Sequence, residues 1–115
     1  MKVAVASDDE KHISSHFDRA SGFMVLEIVN NKIIRREYRR NTGVKKEECG
    51  SCDHDAMIKT IDDCDIVISH GMGNRIYMDL VKNNIKPVIT DEILVEEAVD
   101  RFIKNKLENR LDRLH

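Results

Sequence analysis

The residues best suited to chemistry lie in the run Cys49-Gly50-Ser51-Cys52-Asp53-His54, where two residues separate the thiols and an imidazole follows shortly after. Two thiolates at that spacing reach a single metal ion, but no second cysteine pair exists to complete a closed structural zinc site. Thiolates are soft ligands, so an iron-sulfur cluster, copper(I) or zinc at Cys49 and Cys52 suits them better than magnesium. A redox dithiol and an unliganded loop are the competing readings. The redox reading is weakened by position: a thioredoxin-type pair follows the first strand of a βαβ pattern, whereas this pair follows a charged hairpin and a long loop. The third cysteine, Cys64, lies between Asp63 and Asp65 just before an apolar run and reads as a small buried hydrophobe. An odd number of cysteines argues against a disulfide framework.

Two histidines extend the list. His16 closes the polar stretch 7–16, and His70 ends the apolar run Ile66-Val67-Ile68-Ser69 just before Gly71-Met72-Gly73. Open α/β sheets bind ligands at the carboxyl ends of their strands, so His70 and the glycine turn are placed where chemistry is expected. Gly71-x-Gly73 lacks the third glycine of a dinucleotide or P-loop fingerprint. Backbone amides from Gly73 to Arg75 can still hold an anion at a helix N-terminus, with Arg75 assisting. The plainer alternatives are a hydrogen-bonded loop histidine at 16 and a structural histidine at 70.

The elements that position these residues follow from periodicity. Ile66-Val67-Ile68 has no polar alternation, as expected of a central strand covered on both faces. A helix capped by Asn74 follows, with Ile76, Tyr77, Leu80 and Val81 as its apolar stripe, then a left-handed end at Asn83-Asn84 and a strand through Pro87-Val88-Ile89. Upstream, residues 2–6 form a first strand. Residues 23–29 and 32–38 form a hairpin across Asn30-Asn31, a pair that tolerates the positive φ of a type I′ turn. Arg35, Arg36, Arg39 and Arg40 put charge on both faces of the second hairpin strand, which suits a solvated edge. The loop 41–52 is long, charged and glycine-containing, and is expected to order only when metal binds. Met57, Ile58 and Ile61 mark a short helix with Asp53 or Asp55 as cap. Ile93, Leu94, Val95, Ala98, Val99, Phe102 and Ile103 mark the strongest amphipathic helix. Leu107, Leu111 and Leu114 continue its spacing, but a helix over 92–114 would be about 34 Å long at 1.5 Å per residue, so 105–115 is expected to fray or to meet a partner. The order predicts an α/β domain with a five-stranded mixed sheet, strand order 3-2-1-4-5, strand 2 antiparallel, and three flanking helices.

Composition narrows the classes. A chain of 115 residues fits one domain, 1–115, and a net charge of −2 provides no field to attract nucleic acid. No apolar run approaches the ~20 residues of a membrane span, and residue 1 leads at once into a strand, so neither membrane span nor signal peptide is expected. A cytoplasmic protein without nucleic-acid or membrane partners follows.

The element order looks like the ribonuclease H-like fold. Over nearly its whole length the chain resembles the dinitrogenase iron-molybdenum cofactor biosynthesis family, of the NifX, NafY and NifB C-terminal type. The resembling residues are Val3-Ala4-Val5-Ala6-Ser7, His16-Phe17-Asp18-Arg19-Ala20, Asp63-Cys64-Asp65, Gly71-Met72-Gly73-Asn74-Arg75 and Lys106-Leu107. Asp18 stands where the family usually has Gly, and Asn74 where it often has Pro. The resemblance implies a non-catalytic carrier or assembly accessory, connected with nitrogen fixation, that binds an iron-sulfur or iron-molybdenum type cluster and meets cluster donor and acceptor proteins. It makes His16 a candidate cluster ligand. Joined to the reading of the residues, this gives His16, Cys49 and Cys52 as ligands, His54 and His70 as auxiliary groups, and Gly71, Gly73 and Arg75 as an anion-favouring turn. Two other classes compete. One is a metal-free interaction or regulatory module using the Leu107, Leu111 and Leu114 stripe. The other is a metal-dependent nuclease, which needs carboxylates in the middle of the first and central strands, where this chain has none.

Overall fold

The computed structural model describes residues 1–15, 17, 19–41 and 54–105, with the backbone alone at His54 and Asp55. Along the chain it forms β1 (Lys2–Ser7), β2 (Gly22–Val29), β3 (Lys32–Arg40), α1 (His54–Thr60), β4 (Ile66–Ser69), α2 (Asn74–Lys82), β5 (Lys86–Ile89) and α3 (Val95–Ile103). The five strands form one sheet in the order β3-β2-β1-β4-β5. β2 runs antiparallel to both β1 and β3, while β4 is parallel to β1 and β5 to β4. The expected order and directions are therefore present. β1 takes the middle position, and β4 lies beside it, buried along its whole length.

Side-chain alternation divides the core between the two faces. On one face Ala4, Ala6 and Val67 pack with Met57, Ile58, Ile76 and Leu80, so α1 and α2 cover it. On the other, Val3, Val5, Ile66 and Ile68 pack with Val95, Ala98 and Val99 of α3. Ala6 pairs with Phe23 in the ladder, and its small side chain accompanies the tilted contact of Phe23 with Phe17, ring centroids 5.6 Å apart. Phe17 thus anchors the loop after β1 in the core. The hairpin turns through Asn30 and Asn31 at φ 53° and 63°, the left-handed pair a type I′ turn requires. The register shifts just past it, Glu27 facing Arg35 and Ile28 facing Ile33, which leaves Ile34 on a bulge with its side chain in solvent.

Helix ends depart from the sequence pattern in two places. Gly73, and not Asn74, is the N-cap of α2; it makes no side-chain cap bond, and Asn74 is the first helical residue. The stripe of α2 is also narrower than expected, because Val81 is 48 % exposed and Tyr77 only partly buried. α3 begins at Val95, after Ile93 and Leu94. The backbone of that segment is committed elsewhere: Ile13 N–H donates to the Ile93 carbonyl (2.8 Å), Val95 N–H to the Lys11 carbonyl (2.9 Å), and His12 bridges Leu94. Ile93 and Leu94 are exposed as a result, at 64 % and 37 %. The C-terminal end of α2 behaves as read: Asn84 sits at φ 62°, with its own N–H on the Val81 carbonyl and that of Ile85 on the Leu80 carbonyl, a Schellman motif.

The arginines of β3 do more than shield an edge. Arg36 reaches Glu96 of α3 at 2.7 Å, while Arg39 grips the Asp63 carboxylate with both arms and donates to the carbonyl of Thr60, the last residue of α1. Charges on opposite faces of one strand thus tie the sheet to the helices of both layers. The loop 42–53 and the tail 106–115, with the expectations placed on them, lie outside the described residues. Among the described residues no helix is long and apolar enough to cross a membrane.

Candidate functional site

The carboxyl ends of the three parallel strands, Ser7, Ser69 and Ile89, open onto one rim of the sheet. Hydrogen bonds gather the loops there. Asp8 accepts the Ser21 amide (2.8 Å), Asn41 donates its amide to the Ser21 carbonyl (2.9 Å) and its side chain to the Ala20 carbonyl (3.0 Å). Asn41, the last described residue before 42–53, is thus fixed at this rim.

Next to it, Asp9 organises residues 7–12. Its carboxylate accepts the amides of Lys11 (2.9 Å) and His12 (2.8 Å) and the His12 Nδ1 (2.6 Å), while Ser7 Oγ donates to the His12 carbonyl (2.6 Å). The His12 and Lys11 amides, and then the His12 ring, hold the Asp9 carboxyl well below the usual carboxylate range. Sequence reading singled out neither Asp9 nor His12. The available signal was Asp9 followed by two residues whose amides it could accept, the pattern of an Asx turn.

His70 follows β4 directly and is half-buried. Its Nε2 lies against the carbonyl oxygen of Glu92. A carbonyl cannot donate, so Nε2 carries the proton, and in the neutral ring Nδ1 keeps the lone pair. The acceptor is itself held: Glu92 N–H donates to Thr90 Oγ1 at 3.1 Å, and the Glu92 carboxylate pairs with Arg101 at 2.8 Å. A ring nitrogen tethered to a carbonyl while the other stays available is how metal-binding histidines are oriented.

At the same rim α2 begins without a cap, and its first turn contains no acidic residue. Among the described residues nothing accepts from the amides of Asn74, Arg75 and Ile76. Among the described residues, a Cβ built on Gly73 would meet nothing within 4 Å. Ser69, fully buried, is the one described residue whose buried side-chain oxygen has no hydrogen-bond partner. Leaving such a group unsatisfied costs roughly 1–3 kcal/mol.

Residues 1–105 match the family model described as dinitrogenase iron-molybdenum cofactor. The chain belongs to the dinitrogenase iron-molybdenum cofactor family. It is 25 % identical over 108 residues to the uncharacterised protein MJ0580 of Methanocaldococcus jannaschii, covering 94 % of this chain and 90 % of that one. The crystal structure of PH0822 superposes with a TM-score of 0.76 at 26 % identity, over 97 % of this chain and 96 % of that one. The apo form of the orange protein of Desulfovibrio gigas gives a TM-score of 0.78 at 19 % identity, over 96 % and 92 %, a likeness of fold.

Within this family member the expected site residues divide sharply. His70, Gly71, Gly73 and Arg75 come together at the carboxyl end of β4, with Gly71 buried and Arg75 exposed. His16, Cys49, Cys52 and the side chain of His54 lie outside the described residues. Among the described residues no three His, Cys, Asp or Glu side chains form a metal site. Cys64 is buried, and its thiol is pushed up to about 12, first by burial and then by the Asp63 charge, so it remains a packing thiol. Asp65 accepts the Lys2 amide at the far end of the sheet from the rim.

Proposed function

We propose that this protein is a non-catalytic cytoplasmic accessory that binds an iron-sulfur or iron-molybdenum type cluster at the rim where β1, β4 and β5 end, and passes it between donor and acceptor proteins. His16, Cys49 and Cys52 serve as ligands in this reading, with His54 and His70 as auxiliary groups. The ribonuclease H-like fold is the architectural counterpart. Zinc at Cys49 and Cys52 is the alternative metal.

The observation that carries the proposal is His70, its Nε2–H held by the Glu92 carbonyl beside an uncapped helix start, within a chain that belongs to the cofactor family. The positive end of the α2 dipole favours a negatively charged cluster. Three or fewer protein ligands leave a site open to exchange, whereas a closed four-ligand cage retains its metal; a lone cysteine pair therefore suits handover.

Anaerobic reconstitution with iron and sulfide tests this directly. Charge-transfer absorption should appear, and Cys49→Ser, Cys52→Ser or His16→Ala should weaken it. A wild-type protein that stays colourless and metal-free, or absorption that all three variants leave unchanged, rejects the carrier in favour of a metal-free interaction module.

A further inference from the structure

We propose that the segment 106–115 folds back over the end of the domain opposite the rim and seats Leu107 and Leu111 in a cleft there. The cleft has a volume of about 560 Å³ and is bounded, among the described residues, by Met1 and Ile28, by Phe102 and Ile103 of α3, and by the turn residues Asn31 and Asn105. Its floor is apolar core that reaches the surface. Ile28 belongs to the cluster of Val3, Val5 and Val99, Phe102 and Ile103 pack against that cluster while only half-buried, and Met1 is 55 % exposed. Contiguous apolar surface of this kind favours a cover.

The way α3 ends identifies the occupant. Asn105 sits at φ 57°, and its N–H donates to the Phe102 carbonyl at 3.0 Å, a left-handed helix end that turns the chain instead of extending the axis. Because Asn105 is itself part of the cleft wall, the chain continues from the cleft's own edge. Leu107 is two residues on, with its Cα at most about 7 Å from that of Asn105. Leu111 is six residues on, about 9 Å along a helix and about 20 Å if extended. Leu107, Leu111 and Leu114 are spaced for one helical face, with charged residues between them. Attachment at the cleft's edge gives the leucines an effective concentration of millimolar order, which a separate chain at micromolar concentration does not match. A stripe seated on its own domain is withdrawn from partners, so this inference competes with the metal-free interaction module built on the same leucines. The cluster reading concerns the other end of the sheet and does not depend on it.

The experiment uses the full chain, metal-free, with leucine and isoleucine methyl groups labelled for NMR. Nuclear Overhauser contacts should join the Leu107 methyls to Ile28, Ile103 and the Phe102 ring, and should persist unchanged on dilution. Leu107→Asp should abolish them, shift the Ile28 and Ile103 methyl resonances, and speed tryptic cleavage after Arg110 by about tenfold or more, as loss of one buried leucine implies. Asn105→Gly should keep the contacts, whereas Asn105→Val, which disfavours positive φ, should weaken them. Contacts found only between differently labelled chains in a mixed sample overturn the proposal and make a second copy the occupant. Contacts absent from the wild type, with cleavage as fast as in Leu107→Asp, overturn it in favour of a stripe free to meet a partner. The wild-type contacts decide the matter if Leu107→Asp does not fold.

Discussion

His70 and Glu92, 22 residues apart, meet through the imidazole Nε2–H and a backbone carbonyl. The bond joins the end of β4 to the segment after β5, and it leaves Nδ1 as the ring's lone pair at the rim.

If that nitrogen serves a metal centre, His70→Ala should weaken cluster retention by about 10- to 100-fold, the range seen when an orienting or auxiliary partner is lost. The rate at which a chelator bleaches the reconstituted protein measures this. Bleaching as slow as in the wild type would confine His70 to a structural role.

Asp63 makes stability depend on pH. The Arg39 hydrogen bonds, and then Lys2, hold its carboxyl well below the usual carboxylate range, so the folded state takes up the proton less readily than the unfolded chain. The stabilisation is therefore present in full above the ordinary aspartate pKa of about 3.9 and fades as pH falls below it. Both partners are partly exposed, and solvent screening limits the effect to roughly 1 kcal/mol. Asp63→Asn should lose that much in urea denaturation at pH 7 and clearly less as pH falls toward 2. An equal loss at both pH values would contradict the ion-pair explanation.

Gly22 allows a close crossing of β2 and β3. A Cβ there would stand 2.5 Å from both the Arg39 carbonyl oxygen and the Tyr38 ring, whose hydroxyl donates to the Ser7 carbonyl at 2.9 Å. Gly22→Ala should cost about 1–3 kcal/mol through forced backbone and ring displacement. Chemical denaturation showing less than about 0.5 kcal/mol would mean that the strands separate freely there.

The hairpin turn offers a test in both directions. Asn31 sits at φ 63°, a region that costs an ordinary L-residue roughly 1–2 kcal/mol. Asn31→Ala should lower the melting temperature, and Asn31→Gly should hold or raise it. A reversed ranking would refute the type I′ assignment.

Much of the architecture was legible in the sequence because it rests on local rules. Unalternating apolar runs mark strands buried on both faces, Asn30-Asn31 marks its turn, and short connections with βαβ spacing imply the sheet order. The family was legible too, since several short motifs occur in a fixed order. What only the tertiary structure decided involves groups far apart in the chain. Ile93 and Leu94 continue a helical pattern, yet their backbone pairs with residues 11–13, and that long-range bonding overrides local periodicity. Arg36 and Arg39 read alike as edge charges until their partners, Glu96 and Asp63, come within reach from opposite layers. Asn74 has the chemistry of a cap, but the chain enters α2 one residue earlier, leaving Gly73 in the cap position. Ser69 reads as an ordinary strand end. That its hydroxyl has no partner among the described residues is decided by the tertiary structure, because hydrogen-bond satisfaction depends on the surroundings a residue acquires and not on its identity.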